Sequence, residues 1–254
     1  AMKRLLILQV VCSFTTAAVS QNNTLFEQAT NAYNQGEFKQ AIGYYEQILS
    51  NKQHSANLYF NLGNCYYKLG EIGPSIYYYE KAHLLNPGDS EIKNNLGYAQ
   101  NMRLDAIEQM PESAFSRFYN ATIAKLSFDQ WSYLAVGFMF LFVLAYIAYY
   151  LFQGATRKRI SFVSSLVAVA LCVLSVGFAY LQFQRNTSNN PAIVFTREVA
   201  VTSEPNDRSE KIFTLHEGTK VNILEKLGDW QKIKIADGQT GWLPETSLRL
   251  LKDF

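Results

Sequence analysis

Cysteine, histidine and charge are all scarce in this 254-residue chain. Three Cys and three His, widely separated, are too few for a zinc cluster or a disulfide scaffold. Lys and Arg total 23 against 21 Asp and Glu, so the net charge of +2 offers no basic excess for nucleic acid. No nucleotide-binding loop, nucleophile elbow or HExxH motif occurs. Cys12, Cys65, Cys172, His54, His83 and His216 each stand without a suitably spaced partner. The chain is therefore expected to be no enzyme and to need no metal or cofactor. Charged residues make up 17%, below the globular norm, which directs attention to apolar spans.

Two such spans are present. Gln130 to Thr156 is 27 residues without a charge, centred on 131–152, and Ile160 to Gln184 is 25 more, centred on 160–183. About 20 residues of helix cross the hydrocarbon core of a bilayer, so each run suffices. Trp131, Tyr133, Tyr149 and Tyr150 sit near the ends of the first run, as interfacial aromatics do. Arg157, Lys158 and Arg159 fill the connector expected over 153–159. The positive-inside rule places that connector in the cytoplasm and both flanking parts on the far side. Residues 1–20 read as a signal peptide, with Lys3 and Arg4 before the apolar run Leu5 to Val11 and small residues at Ala18 and Ser20. Cleavage there would leave Gln21 first and would export the N-terminal module. Val11 before Cys12 argues against a lipoprotein site.

Residues 21–104 are self-similar. Gly36 and Gly70, Glu37 and Glu71, Ile42 and Ile76, Tyr45 and Tyr79, and Glu46 and Glu80 are each 34 apart. Ala29 and Gly63, then Ala41 and Ser75, supply small residues where two helices must approach closely. With Pro87 as a closing proline, these residues resemble the tetratricopeptide (TPR) family, whose period is 34. A third unit starts at Ser90, with Leu96 and Gly97 matching Leu62 and Gly63, but it lacks a recognisable second half. The resemblance implies an all-α solenoid of two repeats and an extra helix. Its concave groove would be lined by Phe26, Thr30, Tyr33, Phe60, Asn64, Tyr67, Asn94 and Tyr98, suited to the backbone of an extended peptide. Phe26 and Glu91 stand where carboxylate-clamp members of the family have Lys, so that clamp is not expected. In the linking segment 105–130, Phe115, Phe118, Tyr119, Ile123 and Leu126 share one helical face, a pattern that fits either the membrane surface or the third repeat.

A polar linker is expected over 184–191, with an all-β module over 192–254. Ile233 and Ile235 alternate with Lys232 and Lys234, and Gly228-Asp229 and Asp237-Gly238 are turn dipeptides. Together with Glu204-Pro205, Leu215-His216-Glu217-Gly218 and Gly241-Trp242-Leu243, they resemble the bacterial SH3-like (SH3b) family. That implies a small barrel of five or so strands, with Trp230 and Trp242 as candidate ligand-surface residues or core.

The order leader, TPR, two spans and SH3-like module resembles the BatE-like members of the bacterial aerotolerance-operon proteins. The resemblance implies a multidomain protein of the inner membrane with both soluble modules in the periplasm. It would act beside von Willebrand A-domain membrane proteins and, indirectly, a MoxR-type ATPase. A scaffold that binds envelope proteins is the first expectation. A cell-wall sensor that binds peptidoglycan through the SH3-like module is the second.

Overall fold

The computed structural model describes residues 21–108, 110–111 and 113–253. The leader expected over 1–20 lies outside the described residues. The chain divides into two compact units, one built from residues up to 109 together with 190–254, the other from residues 110–189.

In the first unit, residues 21–34 are helical (α1), and α2 (Phe38–Ser50), α3 (Ala56–Lys68), α4 (Ile72–Leu85) and α5 (Ser90–Gln100) come after it. The repeat is visible in the backbone. Gly36 and Gly70 take φ of +81° and +74° just past α1 and α3, a left-handed turn that a side chain disfavours and that sends each next helix back. Ser55 and Asp89 cap α3 and α5 by accepting backbone N–H bonds of the first turn. Ala29, Ala41, Tyr45, Leu58, Leu62 and Cys65 are fully or almost fully buried in the first core. The small residue is essential at Gly63, where a Cβ would lie 2.5 Å from Cδ1 of the Tyr79 ring.

Among the described residues no second helix of a third repeat packs after α5. Its place against α4 and α5 is taken by the C-terminal sheet, and Ile76, Tyr77, Tyr79, Leu96 and Ala99 share one core with Ile193 and Leu251. The sheet has β1 (Asn190–Val194), β2 (Glu198–Thr202), β3 (Lys211–His216), β4 (Lys220–Leu227), β5 (Trp230–Lys234), β6 (Thr240–Pro244) and β7 (Leu248–Leu250). Its order is β3-β2-β6-β5-β4-β1-β7, all antiparallel. The expected turns are there, with Gly228 and Gly238 at positive φ between β4–β5 and β5–β6.

Two expectations are corrected by this sheet. It has seven strands and is not a closed barrel, since β3 pairs with β2 and β7 with β1 but not with each other. The end strands β3 and β7 form no ladder with each other, and helix α4 packs on β1, with Ile193 and Leu251 at 0% exposure in the shared core. The repeats and the sheet are also not separate beads, because they share that core.

The second unit contains α6 (Ala114–Ala121), a short 3-10 turn (Ile123–Lys125), α7 (Phe128–Leu151) and α8 (Ala155–Ser188). Both α7 and α8 are long and apolar enough to cross a membrane. The protein itself buries 6% of the most apolar window of α7 and 22% of that of α8, unlike the core helices of a soluble fold. They pair along a seam. Buried Ser161, Ser165, Ala168, Ser175 and Ala179, with half-buried Cys172 among them, recur at alternating steps of four and three on α8. Trp131, Ala135, Phe138, Phe142, Ala145 and Tyr149 do the same on α7. Small residues on α8, against aromatics interspersed with Ala135 and Ala145 on α7, let the backbones approach in coiled-coil fashion. Boundaries differ from expectation. Helix α8 begins at Ala155, so Arg157, Lys158 and Arg159 stand in its first turns and not in a seven-residue loop. At its other end α8 runs on to Ser188, where Thr187 donates back to the Phe183 carbonyl at 2.8 Å, so the expected polar linker is mostly helix.

Candidate partner-binding cleft

A cleft of about 290 Å³ opens between α1, α3, α4 and α5. Tyr33, Asn64, Tyr67 and Tyr98 line it, four of the eight groove residues read from the sequence. Helix α3 places Asn64, Tyr67 and Lys68 on one wall, and α5 places Glu91, Asn95 and Tyr98 opposite. Asn64 is the centre of its polar network. Its Oδ1 accepts from Tyr79 OH at 2.6 Å and from Asn95 Nδ2 at 3.1 Å. Both bonds fall on the oxygen, so the Asn64 NH2 makes no hydrogen bond among the described residues and is left as a pair of donors. Burial pushes the phenols of Tyr33 and Tyr79 above their ordinary range, so both remain neutral donors. Lys68 and Glu91 add one charge of each sign to the lining.

The other expected groove residues do different work. Phe26 packs edge-on against Tyr45 with ring centroids 5.5 Å apart, and Thr30 bonds the Phe26 carbonyl and Tyr45 OH. Phe60 packs against the Tyr79 ring at 5.8 Å. Asn94 is exposed outside the cleft, and its neighbour Asn95 lines it. The offset of 34 from Phe60 reaches Asn94, but it cannot fix the rotation of α5, which packs against a sheet where the earlier units have a second helix. Tyr79 escapes the sequence reading of the groove because it lies on a second helix, although its tie to Gly63 is implicit in the small residue there.

The wall of the cleft is braced from behind. Glu80 and Lys81, adjacent on α4, are 2% and 4% exposed, and each is neutralised by a residue of the sheet module. Glu80 accepts from Lys220 Nζ at 2.7 Å and from Gln100 Nε2 at 3.3 Å. Lys81 pairs with Asp253, donates to Tyr77 OH at 3.2 Å, and sits over the Tyr59 and Tyr77 rings at 4.8 and 5.1 Å. Tyr77 in turn meets the Phe195 ring edge-on at 5.2 Å. On the segment after α5, Asp105 accepts from His216 N at 2.8 Å, His216 Nδ1 at 2.6 Å and Thr219 Oγ1 at 2.6 Å. Burial alone would raise the Asp105 carboxyl, but the bonds from Thr219 and His216 outweigh it and hold it below the ordinary range.

On the sheet module, Trp242 fits the core reading of the two offered and not the ligand-surface one. It is 8% exposed and not a surface residue, because the loop after β2 folds back there, with Thr202 Oγ1 bonded to the carbonyls of both Glu204 and Trp242. Trp230 is half-buried. Lys232, cross-strand from Trp242, holds its ammonium 5.7 Å from that ring. As for chemistry, burial pushes the Cys65 thiol up to about 12, far from a nucleophilic thiolate at neutral pH. Cys65 and Cys172 are free thiols. Among the described residues no three His, Cys, Asp or Glu side chains are grouped to hold a metal ion.

Comparison with known families defines the modules that carry this geometry. A tetratricopeptide repeat model matches residues 56–89, the α3–α4 unit and its closing turn. A bacterial SH3 domain model matches residues 198–248, from β2 to the start of β7. No curated protein matches the chain. TPR-like helices, two long apolar helices and a bacterial SH3 module thus make up the described chain, a combination of interaction modules that suggests binding to proteins or to cell wall.

Proposed function

We propose that this protein is a non-catalytic scaffold of the bacterial inner membrane, whose joined TPR and SH3-like modules hold protein partners on the periplasmic face. The observation that carries the reading is the cleft: four tyrosines and two asparagines line it, and the Asn64 amide donors make no hydrogen bond among the described residues, which suits the backbone of an extended peptide. The side assignment rests on connectivity and charge. Within the second unit, Tyr119 bonds Gln182 and Trp131 Nε1 donates to the Ile123 carbonyl, so the chain enters and leaves at one end of the helix pair. Arg157, Lys158 and Arg159 lie at the other end and favour the cytoplasm. The two flanking segments fold together into the first unit, which supports one side for both. The domain order supports the finer reading of a BatE-like partner of von Willebrand A-domain proteins and, through them, a MoxR-type ATPase.

The test is capture. Asn64→Ala with Tyr67→Ala, in full-length protein that keeps its helical circular dichroism, should lose the partners retained by the unaltered protein in a pull-down. Retention of every partner would refute cleft binding. The bacterial SH3 match supports a second reading, peptidoglycan binding, with half-buried Trp230 on that module. Co-sedimentation of the full chain in detergent with purified cell wall decides it; protein left wholly in the supernatant removes this reading.

A further inference from the structure

Helix α6 has eight residues and leaves two large apolar side chains in the open. Phe115 is 63% exposed and Phe118 53% exposed. On a helix both share one side with Tyr119, Phe115 falling between Phe118 and Tyr119, and Arg117 falls on the face opposite Phe115. Tyr119 fixes how α6 lies within its unit. It is buried at 3% exposure, its OH donates to Gln182 Oε1, and the Arg185 guanidinium lies 4.2 Å over its ring. Ile123, at 1% exposure, closes the next turn, and Gln182 Nε2 donates to the Leu126 carbonyl at 2.7 Å. So α6 is held against the last turns of α8, and its phenylalanines are not turned into a protein core. The same end of the helix pair exposes further apolar side chains, with Phe128 at 45%, Phe183 at 54% and Tyr180 at 62%. Basic groups accompany them: Arg117, Lys125 and Arg185 against Asp129 over 113–129 and 185.

We infer that α6 is an interfacial anchor, which lies along the bilayer surface with Phe115 and Phe118 in the acyl–headgroup boundary and Arg117 toward water and lipid phosphate. The inference rests on the reading of α7 and α8 as membrane spans. The occupant is lipid and not protein because Tyr119 and Leu126 tie this segment to Gln182 and Arg185, at the end of a helix read as a span, and the charges beside the two rings are mostly cationic. Apolar area at the boundary together with nearby cations is the chemistry of an amphipathic helix on a phospholipid surface. The consequence is positional. The anchor fixes the depth at which the helix pair sits and stops its upper end from sliding into or out of the bilayer.

The experiment uses full-length protein in vesicles of phosphatidylethanolamine and phosphatidylglycerol, with Cys12, Cys65 and Cys172 replaced by Ala. Single cysteines at 115, 117, 118 and 141 carry a spin label, and its collisions with oxygen and with a water-soluble nickel chelate are compared. Labels at 115 and 118 should show an oxygen-to-nickel ratio about threefold or more above that at 117. Equal ratios at the three positions overturn the anchor. So do labels at 115 and 118 shielded from both reagents, which would mean protein covers them. Position 141, at mid-helix on α7 and exposed, separates the premises. A lipid-buried label there with aqueous 115 and 118 removes the anchor and leaves the spans. An aqueous label at 141 removes both.

Discussion

The Lys81–Asp253 pair gives the sharpest handle on whether repeats and sheet fold as one. Lys81 is 4% exposed, whereas the Asp253 side chain is 43% exposed, so water reaches one end of the pair. Asp253→Ala removes a half-exposed carboxylate from a buried ammonium that also meets a phenol and two aromatic rings. Breaking a fully buried pair in this way costs about 3–5 kcal/mol. With the partner half in water, a loss nearer about 1.5–3 kcal/mol is expected, the range for a hydrogen bond to a charged group. Lys81→Met removes the charge and keeps most of the volume. The double variant should therefore regain at least about 1 kcal/mol relative to the sum of the single changes, since contacting residues do not add. The assay is urea unfolding in mild detergent, read by far-UV circular dichroism for the helices and by tryptophan fluorescence, with Trp230 and Trp242 reporting the sheet. Both signals should move to lower urea together in Asp253→Ala. An additive double variant, or a sheet transition that shifts while the helices stay put, would refute the shared unit.

Local geometry sets the remaining expected outcomes. Gly63→Ala places a methyl 2.5 Å from the Tyr79 ring; overpacking of about 1–3 kcal/mol exceeds the ~1 kcal/mol helical gain, so stability falls. Gly97→Ala, at the same place in the third unit with nothing within 4 Å, should raise it by about 0.5–1 kcal/mol, and equal signs in urea melts would contradict the packing. Leu251→Ala, at 0% exposure in the core shared by α4, α5 and β1, should cost about 2–5 kcal/mol in the same melts, and a loss under ~1 kcal/mol would argue against that core. The depressed carboxyl of Asp105 contributes stability that is present above its unfolded value of 3.8 and lost as pH falls through its lower folded value, so Asp105→Asn should flatten the acid limb of a stability–pH curve.

The sequence makes the repeat and the spans legible for definite reasons. A 34-residue offset survives because Gly36 and Gly70 are demanded by positive φ and Gly63 by the Tyr79 ring. The apolar runs are legible because nothing but length and lack of charge is needed. What local pattern cannot carry is partnership at long range. Glu80, Lys81 and Asp105 read as ordinary polar residues of a solenoid, and their partners Lys220, Asp253 and His216 lie more than a hundred residues away. For the same reason the sheet reads as a free barrel, although α4 shares a core with Ile193 of β1 and with Leu251. Tyr33, Asn64, Tyr67 and Tyr98 are legible from the repeat's phase, whereas Phe26, Thr30 and Phe60 are taken up by Tyr45 and Tyr79, and Asn94 falls one residue short of the lining where the repeat gives way to the sheet.

The central claim is that one membrane face carries both modules. Single cysteines at Lys68, Lys158 and Lys234, in the chain freed of its own cysteines, can be reacted in spheroplasts with a maleimide that does not cross the membrane. The account predicts labelling at 68 and 234 and none at 158 until the cells are lysed; labelling at 158 alone, or at one of 68 and 234 without the other, would contradict it.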